Sequence, residues 1–319
     1  MIKITGSKTR ISIKKFLSGV SPFITEKILE RKYKKEILRA ANEAKDDVSA
    51  FFKTPTALFE KVEIETVNRC NGTCSFCHIN KNIDPRPFAK MSEDTFKKII
   101  DELAELQFGG IIYYHSNNEP FIDGRIIDFI KYGSSKVLNA KHRLYTNGTL
   151  LDNKKFQSIV ESGLNYLRIN NYNDNLKLNP NIKEIYDEYK NKEFSLRCEI
   201  RLRLKNEVLS TRGGSAPNRK IKEPLNASCY FPFSYLVVRA NCGVSLCCND
   251  ALGKVTLGNV EEQTLEKIWF GKKHFDLLNS IRKNMRNDIE ICRECDMLLS
   301  KNNSVTWGIN PNFFNKIIK

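Results

Sequence analysis

The chain has 319 residues, 41% of them hydrophobic, enough for a buried core and against global disorder. Its 52 Lys and Arg against 37 Asp and Glu give a formal net charge of +15, but the lysines are spread along the whole chain beside Asn and Ile, which reads as solvated faces and argues against a nucleic-acid partner. No run of about 18 apolar residues offers a membrane span, and the basic N-terminus lacks the apolar segment and cleavage site of a secretory signal, so a cytoplasmic protein is expected.

Residues 1–55 form a basic extension that reads as helical, with Ile28, Leu29, Tyr33, Ile37, Leu38 and Ala41 at three-to-four spacing, an apolar stripe expected to pack on the main domain. From about residue 60 strands and helices alternate. Strands are expected over 62–67, 111–114, 142–145, 166–170 and 194–204. Helices are expected from the Ser92 cap onward, over 124–139, over 153–162 closed by Gly163, and over 181–190. This order predicts an α/β fold with a parallel sheet, open or rolled towards a barrel. Near residue 205 the pattern changes: a loop through Thr211–Asn218, two short strands near 235–239 and 243–247, and a helix from Thr264 to about Ile281. Six of the ten cysteines lie after residue 225, which reads as a separate, small, cysteine-dense module.

Ten cysteines in a chain without a secretory signal point to metal ligation or catalysis rather than disulfides. Cys70-Asn-Gly-Thr-Cys74-Ser-Phe-Cys77, spaced C-x3-C-x2-C, directly follows the first strand of the alternation. Three thiolates within eight residues can wrap one metal centre. A closed zinc site wants four ligands, whereas a four-iron cluster on three cysteines leaves one iron open to a small molecule. His78 is a conceivable fourth zinc ligand, but its adjacency to Cys77 makes that geometry awkward.

The motif, its place after a strand and the alternation that follows resemble the radical S-adenosylmethionine (SAM) superfamily over about residues 60–205. The resemblance implies a partial (β/α)6-type barrel over 56–210. It implies a [4Fe–4S] cluster on Cys70, Cys74 and Cys77, reductive cleavage of SAM to a 5′-deoxyadenosyl radical, and hydrogen abstraction from a substrate. An electron donor such as flavodoxin or ferredoxin is implied with it. Asn117-Asn118-Glu119-Pro120 is similar to the family's Gly-Gly-Glu-Pro motif, with Asn in place of both glycines, so Asn118 and Glu119 are expected at the methionyl ammonium. Phe76 is expected near adenine, and Asn147 and Asn170, at strand ends, near SAM.

Cys229, Cys247, Cys292 and Cys295 are the candidate ligands of a second centre, and by themselves they also suit a structural zinc ion. The run from Cys229 through Gly243, Cys247-Cys248-Asn249-Asp250, Leu257-Gly258-Asn259 and Trp269 to Cys292-x2-Cys295 resembles the shortened "twitch" form of the SPASM domain, expected over 211–305 with a tail at 306–319. It implies a second [4Fe–4S] cluster, and its gaps match the aminocyclitol dehydrogenase type of the butirosin pathway. Cys242 and Cys248 leave the ligand register open beside Cys247.

The resulting expectation is a radical SAM oxidoreductase that oxidises a hydroxyl of a small sugar, cyclitol or nucleotide-linked sugar, the auxiliary cluster taking the second electron. Arg212, 17 residues before Cys229, is the candidate base or hydroxyl-orienting group. Three alternatives stay open: an epimerase whose spare thiol, Cys198, Cys242 or Cys248, returns a hydrogen; modification of a ribosomal peptide; and a structural or sensing metal protein.

Overall fold

The computed structural model describes residues 2–5, 21–54, 57–302, 304–305 and 309–317. The basic segment 6–20 lies outside them. One nine-stranded sheet runs through the molecule. Its strands are β1 (Ile2–Thr5), β2 (Lys61–Ile64), β3 (Ile111–Tyr113), β4 (Lys141–Thr146), β5 (Tyr166–Tyr172), β6 (Arg197–Arg203), β7 (Tyr235–Val238), β8 (Gly243–Ser245) and β9 (Thr256–Asn259). The spatial order is β1-β6-β5-β4-β3-β2-β7-β8-β9. Every pairing from β1 to β7 is parallel, and β8 and β9 join antiparallel.

The helices are α1 (Pro22–Phe51), α2 (Glu93–Glu105), α3 (Ile126–Lys136), α4 (Asn153–Val160), α5 (Pro180–Tyr189), α6 (Leu265–Trp269), α7 (Lys272–Arg282), α8 (Glu290–Arg293) and α9 (Pro311–Ile317). Side chains alternate across a strand. One face of the sheet, Val62, Ile64, Ile112, Leu144, Leu167, Ile169 and Ile200, is buried in one apolar core with Phe96, Ile99 and Ile130 of the covering helices. The register places Lys61, Glu63, Tyr113, Arg143, Tyr145, Arg168, Asn170 and Arg201 on the opposite face. Helix α2 begins as expected, with Ser92 Oγ accepting from Thr95 N at 3.0 Å.

Four expectations are corrected. The chain does not begin helical: β1 pairs in parallel with β6 and extends the sheet. Helix α1 does not pack on the main domain through Ile28, which is exposed. It buries Ile37, Ala40 and Ala44 against Leu225, Ala227, Leu298 and Phe314, and Val48 against the cysteine-rich region. The cysteine-dense region is not separate, because its strand β7 pairs with β2. The helix expected from Thr264 to Ile281 is two helices, parted at Gly271, whose added Cβ would sit 3.0 Å from the Lys267 carbonyl oxygen. The expected tail carries α9, with Phe314 buried.

Candidate functional site

The loops at the carboxyl ends of β2, β3 and β4 meet at one rim of the sheet, where ligands bind in parallel α/β folds. The loop after β2 carries Cys70, Cys74 and Cys77, all partly exposed. Its curvature is held locally: Cys77 N donates to Cys74 O at 3.1 Å, and Asn80 Nδ2 donates to Cys77 O at 2.8 Å. Gly72 N donates to Cys70 Sγ at 3.3 Å, and a Cβ at Gly72 would lie 3.3 Å from that sulfur. The backbone thus wraps the sulfur at a distance that a side chain would crowd. Burial pushes the Cys70 thiol up to about 12 and the Cys74 thiol up to about 11, with Arg203 and Lys205 opposing the rise at Cys74. Such thiols give up their protons to a metal rather than to water.

Around this triad the other expected residues take definite places. Glu119 is buried and accepts from Thr146 Oγ1 at 2.6 Å, Asn147 N at 2.7 Å and Phe121 N at 3.3 Å. Burial raises its carboxyl to about 7, and these hydrogen bonds limit the rise. Its carboxylate therefore ties the loop after β3 to the loop after β4. Asn118 Oδ1 accepts from Ser116 N at 3.0 Å, and its Nδ2 is buried with no partner among the described residues. Asn147 Nδ2 donates to Asn71 Oδ1 at 2.7 Å and lies 4.0 Å from Cys70 Sγ. Phe76 is buried, its ring centroid 5.9 Å from that of Tyr172. Asn170 lies inside β5 rather than at its end, paired in register with Arg201.

Four thiols, Cys229, Cys247, Cys292 and Cys295, line one small cavity together with Phe231, Ile291 and Arg286. Cys248 does not line it. Its electrostatic neighbours include Glu63 and Arg212 as well as Cys229 and Cys295. Cys198 and Cys242 belong to the main apolar core. The four thiols and the buried Arg286 guanidinium border the same space, and that donor set fits an anionic iron–sulfur centre.

Sequence reasoning missed Glu63 as a site residue and weighed His78 only as a zinc ligand. Glu63 accepts from Ser116 Oγ at 2.7 Å. Burial raises its carboxyl to about 7, and Ser116, Arg212 and Lys61 pull it back down. Its only sequence signal was its place in an apolar-polar alternation. His78 is 4% exposed, and neither ring nitrogen has a partner among the described residues. Burial, then Arg212 and Arg86, push it down to about 3, so the imidazole is neutral. Arg212 itself has a φ of 50°, left-handed for a non-glycine residue, and leads into Gly213 and Gly214, also left-handed. Such strain is characteristic of residues held in place for a site.

Residues 64–200 match the model of the radical SAM superfamily, and residues 229–296 match that of SPASM, an iron-sulfur cluster-binding domain. The chain thus carries a radical SAM domain and a SPASM domain, a pair that implies [4Fe–4S] clusters and SAM. It is 26% identical, over 75% of its length and 93% of the relative's, to the S-adenosyl-L-methionine-dependent 2-deoxy-scyllo-inosamine dehydrogenase of Niallia circulans. The crystal structure of BtrN in complex with AdoMet and 2-DOIA superposes at a TM-score of 0.65 and 25% identity, covering 75% of this chain and 94% of that one. The structure of SeMet BtrN in an open conformation shares the fold at a TM-score of 0.57 and 21% identity, covering 77% and 96%. Among the described residues no helix is long and apolar enough to cross a membrane.

Proposed function

We propose that the chain oxidises a secondary hydroxyl of a cyclitol or sugar to a ketone. Cys70, Cys74 and Cys77 hold the cluster that binds SAM, and Cys229, Cys247, Cys292 and Cys295 hold the second. When bound, these groups supply a 5′-deoxyadenosyl radical and an electron acceptor. An electron donor such as flavodoxin or ferredoxin completes the system. The reading keeps the boundaries 56–210 and 211–305 for the two functional regions.

The observation that supports this reading is the buried Glu63 carboxyl, on which the charge of Arg212 acts. A CH–OH becomes a ketone by losing one hydrogen atom from carbon, one proton from oxygen and one electron. The proton falls to the protein. A carboxylate near 7 accepts it readily at neutral pH, whereas a guanidinium does not. Glu63 is the base, and Arg212 orients the hydroxyl through its rigid donor fork. Ser116 fixes the carboxylate.

The test is anaerobic turnover of reconstituted protein with a reductant, SAM and 2-deoxy-scyllo-inosamine, with products read by mass spectrometry. Equal amounts of 5′-deoxyadenosine and a product lighter by two hydrogens support the reading. A product of unchanged mass with an inverted centre and one solvent-derived hydrogen sinks it. That outcome would favour epimerisation, for which the placement of the Cys248 thiol next to Glu63 and Arg212 is the one supporting observation.

A further inference from the structure

Arg286 opens a short turn, Arg286–Asp288, ahead of the Cys292 and Cys295 pair. It is 2% exposed, and it borders the cavity of the four thiols. Nη2 donates to the Met297 carbonyl oxygen at 3.0 Å. Nε and Nη1 are buried and have no hydrogen-bond partner among the described residues. The largest electrostatic influences on this guanidinium come from Cys229, Cys295, Cys292 and Cys247.

A buried guanidinium is costly unless an opposite charge faces it and its donors are used. Protonated, neutral thiols do not meet that need. The cavity becomes anionic when a metal centre displaces those protons. Four thiolates on an oxidised four-iron core carry the net charge of a dianion, and reduction adds another negative charge.

We infer that Arg286 is the charge partner of the second cluster: its Nε–H and Nη1–H groups donate to the cluster's sulfurs, and its cation makes the cluster easier to reduce. The inference rests on the proposal that these four cysteines hold an iron–sulfur cluster. Hydrogen bonds to sulfur and local net charge are established determinants of cluster potential. The Met297 carbonyl fixes the guanidinium from behind, so the positive charge stays put as the electron arrives. A cation held this way suits a cluster that must accept an electron from a substrate.

The experiment is a redox titration followed by electron paramagnetic resonance, on the anaerobically reconstituted full chain and its Arg286→Lys and Arg286→Gln variants. Added SAM marks the signal of the first cluster, which has the open iron. In Arg286→Gln the reduction equilibrium of the second cluster is expected to move at least tenfold towards the oxidised form, which is 59 mV for one electron. Arg286→Lys, which keeps charge without the fork, is expected to move less. The first cluster should not move in either. Two clusters at wild-type potentials in both variants would overturn the inference, because a merely structural arginine leaves the potential alone. If the Gln variant loses its second cluster, the Lys variant decides: a lowered potential supports the inference and an unchanged one overturns it. Iron and sulfide for a single cluster in the wild type would instead reject the cluster proposal, and this inference with it.

Discussion

Glu63 and Glu119 are both carboxyls held near 7, but for different ends. Glu119 spends its lone pairs on three protein donors, so its work is to join loops. Glu63 has one side-chain donor and faces Arg212, so its work is chemical. Glu63→Gln is expected to lower ketone formation about 100-fold or more while SAM is still cleaved. Wild-type turnover should rise as pH increases through about 7, with deprotonation of Glu63, and the variant should lose that limb. A pH profile of ketone and 5′-deoxyadenosine, measured together, checks both points. Glu119 makes a stability prediction. Its carboxyl is higher in the fold than its ordinary 4.5, so the folded chain holds the proton more tightly than the unfolded one. The associated stability is full below about 4.5 and declines as pH rises to about 7, by up to about 3 kcal/mol. The melting temperature of the wild type should therefore fall more steeply over that interval than that of Glu119→Gln. At this scale the sequence was legible where chemistry is written in spacing, as in both thiol sets. It was mute where a carboxylate hides inside a strand, and it did not separate Cys247 from Cys248, since adjacent residues turn to different surroundings.

Among the elements, α2 and the alternating strands were readable because their large apolar residues recur at the right period. Helix α1 was read in part: Tyr33, Ile37 and Ala41 of the expected stripe do pack, Ile28 does not, and Ala40 and Ala44 complete the buried face. β1 was missed because four residues are too few to show an alternation. Two substitutions test how the readable elements are held. Ser92→Ala removes the cap on Thr95 N and should cost about 1 kcal/mol in a denaturant titration. Gly133 in α3 is more demanding: a Cβ there would lie 2.0 Å from Tyr114 Oη. That hydroxyl is 2.7 Å from His142 Nδ1, in the buried interior. Gly133→Ala should displace the ring, break this hydrogen bond and cost about 2 kcal/mol or more. A normal melting curve for this variant would show that the strand-helix packing gives more than the close contact suggests.

For the whole molecule, the informative result is the path of the sheet. The change in pattern near residue 205 marked a second functional region, but strand pairing between distant segments leaves no local trace. Thus β7, from the cysteine-rich part, completes a sheet begun by β2. The arrangement fixes the two thiol sets relative to one another through backbone hydrogen bonds rather than through a linker. Loss of the second centre should accordingly be felt in the first half. Cys292→Ala is expected to lower the melting temperature of the entire chain in one cooperative step, and two separated transitions in calorimetry would contradict this.

The same pairing has a consequence for solubility. An open parallel sheet has two raw edges, each a row of unpaired amides ready to recruit another chain. Here β1 covers the flank of β6, and β7 covers the flank of β2, whose Val62 and Ile64 are wholly apolar and buried. The SPASM region thus serves as a guard rail for the strands of the first region as well as a bearer of the second thiol set. A chain cut after residue 205 would bare the β2 flank, and it should sediment as aggregate however carefully its first cluster is assembled.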